Sequence, residues 1–211
     1  SMSSQDNDIT LRMLNAVHND ATLTQRRIAK DMGIALGLAN AYVKRCIKKG
    51  FIKINQAPAN RYAYYLTPKG FSEKGRLTAE FFAQGFSFFR QTKDQCNALF
   101  KACEREGWSR LVFYGVSDIS EIALLCSQDF NIEVSGLVDE GMIDPPLIKY
   151  TDKPIVKEIV EINGFHAVLI TDMKHPQAVY ENLLGVFPTE RILVPPILGV
   201  SLAINKHEAS E

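Results

Sequence analysis

Three observations predict an α+β unit, then a long helix, then an α/β domain with a mostly parallel sheet. Residues 8–49 carry three amphipathic helical patterns, and two short β-rich runs follow them. From residue 108 onward, apolar strand runs alternate with helical stretches, the pattern of a parallel sheet with helices on its faces. The third observation is charge. Residues 1–70 carry eleven Lys and Arg against four Asp and Glu, residues 71–107 six against five, and residues 108–211 seven against fifteen. The net charge of zero is therefore a cancellation between a +7 arm, a +1 middle and a −8 body.

The first helical pattern, over 8–19, places Ile9, Met13, Leu14, Ala16 and Val17 on one face and ends at Asn19-Asp20. Thr24 is the expected N-cap of a second helix, with Ile28, Ala29 and Met32 inward and Gly33 as its stop. A third helix over 36–49 buries Leu36, Ala39, Val43, Cys46 and Ile47 and stops at Gly50. Its start is weak, because Ala35 offers no capping oxygen. FIKIN (51–55) and RYAYYL (61–66), joined by the turn-prone QAPAN, form a hairpin. Three helices and a hairpin make a winged helix-turn-helix, assigned to residues 1–67.

Thr67-Pro68 opens another helix, threonine as cap and proline at the first position, where its missing N–H costs nothing. This linking and dimerisation helix is expected over 68–107, reaching about Glu106 with a break near Gly85. Phe82, Phe89, Cys96 and Cys103 recur every seven residues, with Phe86, Leu99 and Phe100 beside them. A strip this aromatic needs a cover. The second domain could supply it, but a helix from a second subunit is favoured, because winged helix-turn-helix units commonly work about a two-fold axis. A homodimer is expected.

In the third part, 108–211, strands are expected at 110–114, 133–138, 166–171 and 191–195. Helices fit 119–129 and 176–185, and a short element falls within 154–162. LVFYGVSDIS (111–120) delivers a strand to Gly115 as a dinucleotide-binding Rossmann domain does, but Ser117 and Ser120 stand where that fingerprint has glycines.

No apolar run approaches the roughly 20 residues of a membrane span. The four cysteines show no metal-type spacing and suit a reducing cytoplasm. No metal site and no membrane partner are expected.

Removing the buried positions of the third helix leaves Gly37, Leu38, Asn40, Ala41, Lys44, Arg45 and Lys48 outward. Asn40 can bond adenine through two hydrogen bonds. Lys44, Arg45 and Lys48 suit phosphates, Arg26 and Arg27 could grip the backbone from the preceding helix, and Arg61 on the wing could probe a minor groove. TLTQRRIAKDMGIALGLANAYVKRCIKKGFIKI (22–54) with RYAYYLTPKGFSEKGRLTAEFF (61–82) resembles the MarR-type winged-helix regulators associated with exopolysaccharide gene clusters. The resemblance rests on L-G-x-x-N at 36–40, the K-x-G-F-I-K before the wing, and YLTPKG. It implies a transcriptional regulator that binds double-stranded DNA. Leu38 and Ala41 stand where related sequences often place longer polar residues, which implies sparse base readout.

The candidate ligand crevice comprises Gly115, Ser117, Asp118, Asp139, Asp172 and His175. Asp118 with Glu121 reads as a capping box that fills the helix amides and repels an incoming phosphate. Against that, Asp139 lies 24 residues after Gly115, where a ribose-binding acid belongs. Three readings of this domain stay open: a dinucleotide site, a site for a smaller effector, and a partner-binding body without ligand. No cofactor is expected, with NAD(H) or a nucleotide-sugar the minor alternative. His166 is placed in a strand and His175 at an ordinary helix start, so no catalytic residue is assigned. The sequence thus reads as a DNA-binding regulator with a ligand-sensing or partner-binding second domain. The competing reading is a nucleotide-dependent redox sensor or enzyme using the GVSDIS crevice.

Overall fold

The computed structural model describes residues 3–58, 61–142 and 151–202. The chain divides into two compact units, Ser1–Phe86 and Ser87–Glu211. The first contains α1 (Ser4–Asn19), α2 (Gln25–Met32), α3 (Leu36–Lys48), β1 (Ile52–Ala57), β2 (Arg61–Leu66) and the beginning of α4 (Pro68–Glu106).

α1 starts one turn before its apolar pattern, because Ser3 Oγ accepts the Asp6 N–H at 3.2 Å and so caps the earlier turn. Thr24 caps α2 in the expected way, its Oγ1 accepting from Arg27 N at 3.2 Å, and Gly33 closes the helix with φ 65°. α3 has no side-chain cap at Ala35. The core joins Met13, Leu14, Ile28, Val43, Cys46 and Ile52.

The inner face of α3 differs from the sequence expectation. Leu36 is 43% exposed, and Tyr42 is buried at 5%. A helical side chain covers the turn preceding its own Cα, and Leu36, first in its helix, has no such turn to cover. Tyr42 fills the stripe between Ala39 and Cys46 instead.

β1 and β2 pair antiparallel from Ile52↔Leu66 to Ala57↔Arg61, and Tyr64 N donates to Ala21 O at 2.9 Å, fastening the wing to the turn after α1. The wing then turns into α4 at a tight corner. Thr67 Oγ1 accepts from Gly70 N at 3.0 Å and donates to the Gly50 carbonyl, while Thr67 N donates to Phe51 O at 3.0 Å. A Cβ on Gly70 would lie 2.0 Å from Phe51 O, so this glycine is required by close backbone approach.

α4 continues unbroken through Gly85, where a break was expected; a Cβ there would meet nothing within 4 Å. One glycine costs a helix only about 0.5–1 kcal/mol relative to alanine, too little to break one this long. The seven-residue strip has two different fates. Cys96, Phe100 and Cys103 are fully buried in the second unit, whereas Phe82, Phe86 and Phe89 are 56%, 61% and 40% exposed.

The second unit is built on a sheet of order β5-β4-β3-β6-β7, every neighbouring pair parallel. Its elements are β3 (Arg110–Tyr114), α5 (Asp118–Ser127), β4 (Glu133–Val138), β5 (Ile155–Val156), β6 (Ala167–Ile170), α6 (Pro176–Leu184) and β7 (Ile192–Leu193). The element expected within 154–162 is β5 and a 3-10 turn, Ile159–Glu161. Leu111, Phe113, Leu137 and Leu169 face one way, against Cys96, Phe100 and Cys103 of α4 and Ile122, Ala123 and Cys126 of α5. Val168 and Ile170 face the other way, against Val179, Tyr180 and Leu183 of α6. Alternation along each strand thus buries both faces under helices, the doubly wound α/β layout.

The two α4 glycines give a test of this packing. Gly85→Ala is expected to stabilise the protein by about 0.5–1 kcal/mol, whereas Gly70→Ala is expected to destabilise it by about 1–3 kcal/mol through overpacking on Phe51. Denaturant unfolding measures both, and a Gly70→Ala protein as stable as the wild type would refute the corner geometry.

Candidate functional site

α3 presents Gly37, Leu38, Ala41, Lys44 and Lys48 as an exposed stripe, with Asn40 half-buried at its edge. Lys44 and Lys48 stand one turn apart and have no ion-pair or hydrogen-bond partner among the described residues. Arg26 and Arg27 are exposed on α2, and Arg27 pairs loosely with Asp31 at 3.7 Å, both side chains well exposed. Such a pair is worth little and yields readily to a stronger anion. Arg61 is exposed at the β2 end of the wing. Lys53 is exposed on β1, opposite Tyr65, and escaped the sequence reading.

Arg45 is placed differently. Its guanidinium lies 3.5 Å from the Asp6 carboxylate and 4.8 Å from the centre of the Tyr42 ring. The Tyr42 hydroxyl donates to the same carboxylate. That bond, aided by Ser3 and by the Arg45 charge, holds the Asp6 carboxyl below the usual carboxylate range. The pattern S-x-x-D at Ser3–Asp6 is a capping signature that could have revealed both the start of α1 and this acid.

In the second unit the start of α5 is closed, but not by the expected residues. Ser117, with extended backbone, is the N-cap: its Oγ accepts from Ile119 N at 3.1 Å and Ser120 N at 3.4 Å and donates to Thr171 O at 2.5 Å. Ser120 completes the box by accepting from Ser117 N at 2.8 Å. Asp118 is already the first helical residue and is exposed, so it does not cap. The two serines that replace the fingerprint glycines are the capping pair. Gly115 has φ 119°, and a Cβ on it would lie 2.3 Å from Asp172 N. Packing of the β6 end alone demands this glycine, without a phosphate.

A cavity of about 220 Å³ lies at the carboxyl ends of β3, β4 and β6. It gathers Gly115, Asp139, Asp172 and His175, together with Tyr114, Glu140 and Lys174, which the sequence reading did not select; Ser117 and Asp118 do not line it. Each carboxylate is held at one oxygen: Asp139 by Gly141 N at 3.2 Å, Asp172 by His175 N at 2.6 Å, and Glu140 by the Tyr114 hydroxyl. Burial, and then Glu140, raise the pKa of Tyr114 and keep it a donor. His166 precedes β6 and is half-buried; its Nδ1 accepts from Arg110 N at 3.1 Å, a structural role. Wider hollows of about 690 Å³ beside α5 and about 450 Å³ between α1 and α4 contain none of the crevice residues.

Cys46, Cys96, Cys103 and Cys126 are free and buried, and desolvation raises the pKa of each, to about 12 for Cys96. No helix among the described residues is long and apolar enough to cross a membrane.

No curated relative matches the chain. Among solved structures it is similar to MepR, a transcription regulator of the Staphylococcus aureus multidrug efflux pump MepA, at 22% identity over 50% of this chain and 77% of that one, TM-score 0.38. It is also similar to the S. aureus MepR–DNA complex, at 22% identity over 43% of this chain and 64% of that one, TM-score 0.36. FabT of Streptococcus pneumoniae in complex with DNA matches at 17% identity over 61% of this chain and 71% of that one, TM-score 0.34. Residues 6–53 match the family model for winged helix-turn-helix DNA-binding. The matched span coincides with α1, α2, α3 and the entry to β1, and the N-terminal unit has the winged helix-turn-helix fold.

Proposed function

We propose that the protein is a MarR-type transcriptional regulator of the cytoplasm that binds double-stranded DNA by laying α3 in the major groove. The exposed stripe of α3 carries this reading: Gly37 and Asn40 stand toward its amino end, and Lys44 and Lys48, without partners among the described residues, toward its carboxyl end. Amino-terminal residues of a recognition helix meet base edges, and cations further along meet phosphates. Asn40 reads an adenine, Arg26 and Arg27 hold the backbone from α2, and Arg61 with the wing reaches the adjacent minor groove. Leu38 and Ala41 offer only apolar contact, so phosphates carry most of the affinity.

A homodimer completes the reader. Phe81, Phe82 and Phe86 are each more than half exposed on α4, at 58%, 56% and 61%. A second copy that covers these rings would also set two half-sites about one helical turn apart, as palindromic operators require.

The α/β unit is proposed to receive a small effector or a partner rather than a dinucleotide. Where strand order reverses, between β3 and β6, open α/β sheets bind ligands outside the strand ends, and the cavity of about 220 Å³ lies there. It is smaller than the ~300–1,000 Å³ of drug-sized sites. The amides of α5 that would hold a pyrophosphate are already taken by Ser117 Oγ. No catalytic role is assigned.

Three measurements test the reading. Binding of labelled duplex DNA from the neighbouring promoter region is expected at ~50 mM salt and should weaken steeply as salt rises, because phosphate contacts release counterions. Lys44→Ala or Lys48→Ala should flatten the salt slope by about one and weaken all sequences alike, whereas Asn40→Ala should relax preference at one base pair. In sedimentation without DNA the wild type is expected as a dimer at micromolar concentration and Phe82→Glu/Phe86→Glu as a monomer. A monomeric wild type would remove the two-fold reader. In calorimetric titration NADH is expected to bind no tighter than about 10 µM, and tighter binding would make the crevice a redox-sensing site.

A further inference from the structure

Lys44 and Arg45 are adjacent in sequence but point about 100° apart around α3. Lys44 is exposed and without a partner among the described residues, while Arg45 turns toward α1 and meets Asp6 and the Tyr42 ring. We propose that Asp6 and Arg45 are positioning residues that set α3 on α1 through Tyr42, and that Arg45 stays on Asp6 when DNA binds. This rests on the DNA-binding reading above and revises the part Arg45 was expected to play in it.

Three features support the assignment. Asp6 is fixed from its own side, as the third residue of α1, with its N–H on Ser3 Oγ at 3.2 Å. Tyr42 is fixed from the other side by burial at 5%, so its hydroxyl can follow the carboxylate only if the core moves. The guanidinium then lies between two anchored groups, the carboxylate at 3.5 Å and the ring at 4.8 Å. To reach a phosphate it would abandon both and leave an uncompensated carboxylate beside a polyanion. By remaining, Arg45 neutralises Asp6 and gives α3 a fixed rotation about its axis. That rotation determines which edge of the helix Asn40 presents.

Asp6→Asn, Arg45→Ala, the double variant and Tyr42→Phe are compared with Lys44→Ala in anisotropy titrations of duplex DNA at several salt concentrations. Amide hydrogen exchange over residues 4–8 and 40–48 is followed without DNA. Asp6→Asn and Arg45→Ala are each expected to weaken binding about three- to tenfold at unchanged salt slope, with the double variant no weaker than the worse single one. Exchange over both segments should quicken in these variants and in Tyr42→Phe, but not in Lys44→Ala. Tighter binding with a steeper salt slope in Asp6→Asn, or a slope flattened by one in Arg45→Ala, would mean that Arg45 is a phosphate contact held back by Asp6, and the proposal would fall. Unchanged exchange in Asp6→Asn and Arg45→Ala overturns it as well. If the wild type does not bind DNA at all, the functional reading fails, and exchange alone still decides whether Asp6 and Arg45 hold α3.

Discussion

The N-terminal unit depends on one peptide carbonyl, that of Phe51. It accepts from Thr67 N at 3.0 Å and from Thr67 Oγ1 at 3.3 Å, and Gly70 is packed against it where no side chain could fit. Phe51 N in turn donates to Cys46 O at 2.8 Å, in the last turn of α3. The end of α3, both ends of the wing and the first turn of α4 are therefore joined at a single peptide. This explains why Gly50, Thr67, Pro68 and Gly70 have roles that cannot be exchanged. Threonine supplies a hydroxyl that both donates and accepts, proline pre-sets the helical φ, and Gly70 supplies absence.

Much of this was legible because helix ends are written locally. Thr24, Gly33 and Gly50 each act within a few residues of their own position, and so does Thr67 in capping Gly70 N, although its bonds to the Gly50 and Phe51 carbonyls reach back across the wing. What was not legible depended on distant partners. Tyr42 is equally suited to a surface or a core until α1 is laid across it, and Leu36 follows a perfect apolar period yet stands at a helix start with nothing to cover. At Ser117–Glu121 two capping patterns overlap by one residue, and only the extended backbone of Ser117 decides between serine and aspartate. The crevice was half visible: Gly115, Asp139, Asp172 and His175 converge, while Tyr114, Glu140 and Lys174 join them through strand ends far apart in the chain.

The charge asymmetry gains a structural sense. Basic side chains of α2, α3 and the wing are exposed, and acids in the first unit are largely engaged: Asp6 with Tyr42 and Arg45, Asp20 with Thr22, Glu73 with Arg76 at 2.7 Å. Exposed cations such as Arg26, Lys44, Lys48 and Arg61, beside acids that are engaged, give this unit a positive balance at its surface, even where the formal count is modest. In the second unit each crevice carboxylate is bonded at one oxygen among the described residues, Asp139 by Gly141 N, Asp172 by His175 N and Glu140 by the Tyr114 hydroxyl.

Cys96, Phe100 and Cys103 of α4 are core residues of the α/β unit, packed on Leu111, Phe113 and Leu137. The Phe100 ring stacks on that of Phe113 at 6.3 Å and meets Phe130 edge-on at 5.7 Å. The helix that looks like a spacer in the sequence is, over its later turns, one of the layers that the sheet needs on that face. A fragment begun where strand texture begins, at residue 108, would leave to α5 alone a sheet face that α4 and α5 cover together, and would expose Leu111, Phe113 and Leu137 where α4 had packed. A fragment begun at Ser87 would take its own lid with it. The seam along which this protein could be recombined with other domains therefore runs through the middle of a continuous helix, where no loop marks it.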